Sequence, residues 1–365
     1  MVYLDNCATT PLSPAAKQAI IDNLDEFGNP SSVHYLGRRA RIKIEESREK
    51  IAELINADPG EVLFTSGATE SNNCAFNQSW YDYQYLSNVE HPSIYNIGTT
   101  YGHINVDKDG IVRDASRRPY SNLYNFLTSI MMVNNELGTI NPIKELCETV
   151  HKNDGKFHCD MTQAIPHMRV DVKDLVVDTA SFSAHKFNGP KGVGVLFEKQ
   201  GYGIDPLILG GKQEFEKRAG TENALGIIAM AVALEDTIIH MDETNEKIAH
   251  LSTLLEENIL NITGVHDNVF ATKSSRIPGV FNMRIDGCNG SDVVALASEY
   301  GICISAGSAC SSYIPKPSYV LKAIGLTDEQ ALSSVRISLG RFNREQDVKY
   351  FCEMFPKIIN QLRFI

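Results

Sequence analysis

Apolar positions recur along this chain with two periods, and the change from one to the other divides it. Ser13-Pro14 places a hydroxyl cap before a proline at the first helical position, so a helix is expected over residues 15–27, stopped by Gly28-Asn29-Pro30. A second helix is expected from about Tyr35 to Ala57, with Ile42, Ile51, Leu54 and Ile55 on its apolar stripe before Pro59-Gly60 breaks the pattern. Short β-rich apolar runs follow at residues 62–65, 126–133, 157–159, 176–183 and 193–198, separated by helical or polar stretches. Fully apolar strands alternating with helices predict a mostly parallel sheet covered on both faces.

A long helical region over residues 224–260, with a break inside it, leads to a different pattern. A strand at 280–285, a helix at 291–300, strands at 302–305 and 335–338 and a closing helix at 345–362 make a small α+β unit. The expected division is a large domain over residues 13–250 and a small one built from 1–12 and 251–365. No internal repeat or low-complexity tract interrupts this order.

Composition narrows the function. With 43% hydrophobic residues over 365 positions the chain can bury a large core. A formal charge of −11 sets it against phosphate backbones and anionic lipid, so no nucleic-acid and no membrane partner is expected. Neither a basic leader followed by an apolar run nor an apolar stretch of ~18 residues is present, and a cytoplasmic location is expected. The eight cysteines, at 7, 74, 147, 159, 288, 303, 310 and 352, form no CxxC pair and no metal spacing, so reduced thiols and no metal are expected.

Four segments carry chemistry. In Ser181–Gly192, SFSAHKFNGPKG, Lys186 follows an apolar strand and precedes a glycine-rich turn, a place where desolvation lowers a lysine pKa and makes it a Schiff-base nucleophile. Ser183 and His185 beside it offer donors to a phosphate. Asp160 and Gln163 follow the run 157–159, at a strand end, where ligand groups of open α/β sheets gather; Asp160 equally suits a helix cap. In FTSGATESNN a strand enters small residues at a helix start, where backbone N–H groups and the Thr69 hydroxyl suit an anion. No Walker loop or GxGxxG follows a strand, so phosphate is expected there and nucleotide is not. Finally, ICISAGSACSS sets Cys310 among small residues, the setting of an exposed, movable nucleophile, whereas Cys303 inside the apolar run suits a structural role.

YLDNCATTP, GNPSSVHYLGR, FTSGATESNN, EHPS, VNNELGT, DMTQ, SAHKFNGPKGVG, GGKQEFEKRAGTEN, SAGSACSS, PSYVLKAIGL and VRISLGRF, in this order, closely resemble the cysteine desulfurases. These are class V aminotransferase relatives among the fold-type I pyridoxal-phosphate enzymes, and the SAGSACSS loop resembles the subgroup serving iron-sulfur and nitrogenase-type assembly. The resemblance implies an aspartate-aminotransferase-like α/β domain and pyridoxal 5'-phosphate as cofactor. It implies Lys186 as the cofactor's anchor, Asp160 on the pyridine nitrogen, Gln163 on the phenolic oxygen and His91 stacked on the ring. Ala68, Thr69, Ser183 and His185 would hold the phosphate, with Thr221 reaching in from a second subunit of a homodimer. Asn134 and Arg336 would take the carboxylate of L-cysteine, and Cys310 would receive its sulfur for a scaffold or thiol-carrier acceptor.

Selenocysteine lyase or a class V transaminase would need Lys186 and Asp160 without the mobile thiol. A catalytically silent cofactor-binding relay protein would be expected to have lost the lysine, the acid or the thiol, and all three are present. Three departures stand out: Cys7 where asparagine is commoner, a short polar stretch over 102–126, and an end at Ile365 without the extra tail some relatives use to grip a scaffold.

Overall fold

The computed structural model describes all residues except 77, 98–100, 120–124, 270–274, 307–315 and 364–365. Ser13 accepts a hydrogen bond from the Ala16 N–H at 3.0 Å and starts the helix Pro14–Asp22. This helix stops five residues short of the expected end, because the Asn23 amide and N–H turn back onto the carbonyls of Ala19 and Ile20. The next helix, Tyr35–Ile55, matches expectation and ends at Asn56 in the left-handed conformation. Its buried stripe runs through Ile44, Arg48, Ile51 and Ile55, and Ile42, expected on that stripe, faces outward.

Seven strands form the main sheet in the order Val62–Thr65, Gly194–Glu198, Thr179–Ser183, Lys156–Asp160, Phe126–Ser129, Tyr83–Ser87 and Tyr101–Ile104. All neighbours are parallel except Gly194–Glu198, which runs antiparallel to both of its partners. The sheet is therefore mostly parallel, as the apolar runs predict. Two of its strands, Tyr83–Ser87 and Tyr101–Ile104, escaped the sequence reading because polar residues dilute their apolar signal.

The helices Ala224–Ile239 and Met241–Ile259 meet at a 66° bend, the break expected inside the long helical region. Among the described residues no single helix is long and apolar enough to cross a membrane. Beyond the bend a four-stranded antiparallel sheet orders Ser305–Ala306, Ser334–Ser338, Val280–Ile285 and Val265–Asp267. The first residues join this side of the molecule: Val2–Tyr3 pairs parallel with Ile302–Cys303. One apolar cluster fills the faces of the main sheet, and a second gathers Val2, Leu4, Leu251, Phe281, Ile337, Phe351 and Phe355. Leu4 and Ser338 also exchange a backbone hydrogen bond, so the chain's start is anchored by residues near its end.

Candidate active site

Phe126–Ser129, Lys156–Asp160 and Thr179–Ser183 run parallel, so their C-terminal ends open on one edge of the sheet. A cavity of about 510 Å³ lies there. It is lined by Ala68, Thr69, His91, Asp160, Gln163, Ser183, His185, Lys186 and Arg336, nine of the twelve residues singled out from the sequence. Two of the other three fall elsewhere. The Asn134 side chain is fully buried and spent on its own turn, accepting from the N–H groups of Glu136 and Leu137 at 2.9 Å and donating to the Val89 carbonyl, and the lining residues beside it are Asn135 and Glu136. Thr221 borders a separate cavity of about 140 Å³ beside Ser66 and Gly192. Cys310 lies outside the described residues.

Lys186 sits in a single 3-10 turn, Ala184–Lys186, directly after the strand Thr179–Ser183. Its ammonium donates to the main-chain carbonyls of Cys7 and Ala8, the latter at 2.9 Å. Burial is the main cause that lowers its pKa to about 8, so the free amine needed for a nucleophile is accessible near neutrality.

Asp160 ends its strand only 4% exposed. Its two oxygens accept from neutral groups, the Asn72 amide at 2.8 Å and the Thr162 N–H at 2.9 Å. A buried carboxylate held by neutral donors at a cavity wall suits a cationic N–H brought by a ligand. Asn72 is oriented in turn by His158, whose Nε2 meets the Asn72 oxygen at 3.1 Å while its Nδ1 meets the Thr179 hydroxyl. Burial lowers the His158 pKa to about 4, so a neutral ring supports the acid.

Opposite, the helix Ala68–Phe76 starts at the cavity. Gly67, at φ +149°, turns the chain there, and a Cβ on Gly194 would come within 2.6 Å of the Gly67 Cα; only glycine lets the two segments approach so closely. Ser66, Thr69, Ser183, His185 and Lys191 line the same cavity. Burial, reinforced by Lys186 and Lys191, lowers the His185 pKa to about 4. Helix N–H groups, hydroxyls and a lysine form a suitable donor set for a phosphate. A desolvated lysine, an acid with no ion-pair partner among the described residues and a phosphate-type cradle in one cavity fit pyridoxal phosphate.

On the remaining wall, Arg336 donates to the Asp5 carboxylate at 2.8 Å and to the Asn135 carbonyl at 3.0 Å. His91 caps a short helix by accepting from the Ser93 N–H, and burial lowers its pKa. Cys7 lines the cavity, whereas Cys303 stays in its strand away from it. Sequence reasoning missed Asn72, His158, Glu136 and Lys191. Asn72 and Glu136 lie within ATESNN and VNNELG, polar stretches in which nothing local marks either residue out from its neighbours.

The Aminotransferase class-V family model matches residues 2–351. A cysteine desulfurase IscS of Dictyoglomus turgidum is 40% identical over 379 residues, covering 100% of this chain and 96% of that protein. Among solved structures, a NifS-like protein superposes with a TM-score of 0.90 at 32% identity, covering 100% of both chains. SspA in complex with cysteine superposes with a TM-score of 0.80 at 31% identity, over 94% of this chain and 100% of that one. Matched along almost its whole length, the chain belongs to the aminotransferase class-V family, among its cysteine desulfurases.

Proposed function

We propose that this chain is a pyridoxal-phosphate-dependent cysteine desulfurase that converts L-cysteine to L-alanine and leaves the sulfur on Cys310 as a persulfide. The observation that carries this reading is one cavity uniting Lys186, an Asp160 with no ion-pair partner among the described residues and Arg336, in a chain whose relatives are cysteine desulfurases. Selenocysteine lyase, transamination and a silent relay role are not favoured.

When bound, pyridoxal phosphate supplies an electron sink for charge developing at the substrate Cα. Lys186 anchors it and then carries the Cα proton on Nζ. Asp160, fixed by Asn72 and Thr162, would hold the proton of the ring nitrogen, with Gln163 to bond the phenolic oxygen and His91 to cover the ring. Ala68, Thr69, Ser183 and His185 would hold the phosphate. Arg336 takes the substrate carboxylate, and Asn134 serves by shaping the turn that carries Asn135 and Glu136. The Cys310 thiolate would attack the substrate sulfur, the carbon–sulfur bond would break with a proton delivered to that carbon, and return of the Cα proton from Lys186 would complete alanine.

The large domain at 13–250 and the small one at 1–12 with 251–365 are proposed to frame this cavity. Homodimerisation is proposed as well, with Thr221 completing the partner's phosphate site. The exposed apolar side chains Phe27, Val33, Leu209 and Phe215 support such an interface. The persulfide would pass to a scaffold or thiol-carrier protein.

The test is Cys310→Ala. L-cysteine should still change the visible spectrum of the loaded protein while alanine and sulfide fall to background, and mass spectrometry of the wild type after one turnover should place the extra sulfur on the Cys310 peptide. Alanine formation by the variant refutes the assignment.

A further inference from the structure

Glu136 has no part in the chemistry above, yet it lines the same cavity and is only 8% exposed. Its backbone is fixed on both sides: its N–H donates to Asn134 Oδ1 and its carbonyl accepts from the Asn282 amide at 3.2 Å. One carboxyl oxygen, Oε2, accepts from the Ser318 hydroxyl at 2.7 Å. The other, Oε1, makes no hydrogen bond among the described residues. The residue before it, Asn135, takes a hydrogen bond from Arg336 on its carbonyl, and the Glu136 carboxyl and the guanidinium act on each other electrostatically.

Glu136, Ser318 and Tyr319 line the same cavity as Arg336 and Lys186, and a substrate held by its α-carboxylate at Arg336 and its amine toward Lys186 would present its side chain to this wall. The charges there are already allotted. Arg336 is paired with Asp5, Lys186 is the cofactor's anchor, and Lys191 stands with His185 at the phosphate end. Among the described lining residues no cation remains for a second carboxylate.

We propose that Glu136 is a specificity-determining residue that admits amino acids with uncharged side chains, cysteine among them, and rejects those whose side chain is anionic. This rests on the desulfurase reading of the site. Rejection is the repulsion of two like charges in an enclosed cavity, a device that discriminates by penalty rather than by added contact. Burial, opposed by the Ser318 hydroxyl and Arg336, pushes the Glu136 pKa up to about 7. The penalty therefore grows as the carboxyl ionises through that pH. The groups facing Glu136 are Arg336 and its partner Asp5, Ser318, and across the cavity Cys7, His91 and Lys186.

The test titrates L-aspartate and L-alanine into the loaded protein, follows the visible cofactor band, and compares wild type with Glu136→Gln and Glu136→Asp. Wild type should bind L-aspartate at least about tenfold more weakly than L-alanine, with the gap widening from about pH 6 to about pH 8. Glu136→Gln should close most of the gap and flatten its pH dependence, and Glu136→Asp should keep both. If Glu136→Gln does not retain cofactor, Ser318→Ala serves instead. Loss of the hydroxyl should move the midpoint of the pH dependence above 7. An unchanged aspartate-to-alanine ratio in Glu136→Gln, an unmoved midpoint in Ser318→Ala, or equal binding of both ligands by wild type overturns the proposal. Alanine release from L-cysteine by wild type is measured separately, so failure of the desulfurase reading is told apart from failure of this one.

Discussion

The ammonium of Lys186 rests 2.9 Å from the main-chain carbonyl of Ala8, so the residue proposed to anchor the cofactor is held by the N-terminal segment. The contact belongs to a seam. Thr10 donates its hydroxyl to the His185 carbonyl at 2.8 Å and accepts from the Asn188 N–H at 2.9 Å, while the Asn188 amide reaches the Pro11 carbonyl. Thr10→Val removes two of these bonds without removing volume. It should cost about 1–3 kcal/mol of stability and accelerate cofactor loss on dilution, as read by denaturant unfolding and by decay of the visible band.

The depressed pKa of Lys186 sets a pH dependence. Below about 8 the amine is protonated and cannot attack an aldehyde, so cofactor uptake by the apoprotein should rise about tenfold per pH unit up to that value and then level off. The sign for stability follows from the folded value lying below the unfolded one, 10.5. The apoprotein gains stability as pH rises between the two values, because the unfolded chain still binds the proton there. Stopped-flow uptake and pH-dependent unfolding check both, and Lys186→Ala should give a colourless, inactive protein.

Asp160→Ala should keep much of its cofactor affinity through the phosphate cradle and lose on the order of 10²-fold or more in turnover. Asn72→Ala should fall in between. It leaves the acid in place but frees one of its oxygens and strands His158 Nε2, so a loss of about tenfold and a visible-band shift are expected.

Glu214, Phe215 and Glu216 are three consecutive left-handed residues, at φ 47°, 58° and 67°. The turn is held by the buried Glu214, which pairs bidentately with Arg48 at 2.8 Å and accepts the Phe64 N–H. Glu216 is exposed, so Glu216→Gly relieves strain without breaking a buried contact. A gain of about 0.5–1 kcal/mol is expected, from roughly 1–2 of relieved strain less the glycine's extra unfolded-state entropy. Arg48→Ala, by contrast, strands a buried carboxylate and should cost about 3–5 kcal/mol in the same measurement.

Much of this protein was legible in its residues. The apolar runs at 157–159 and 176–183 announced buried parallel strands, and Lys186, Asp160 and the FTSGATESNN turn announced a phosphate-bearing carbonyl cofactor, because these signals are local in sequence. Strands diluted by polar residues, such as Tyr83–Ser87, were silent for the same reason. Tertiary structure alone decided which polar groups stay available. Asn134 reads as a ligand and is consumed by its own turn, while its neighbour Glu136 faces the cavity. Cys7 reads as an isolated departure, yet folding brings it close enough to Lys186 and Arg336 to act on both electrostatically. Residue type and spacing determine what a side chain is able to do. Whether its hydrogen bonds are spent at home or kept for a ligand depends on neighbours far away in the chain, and only the packed fold supplies those.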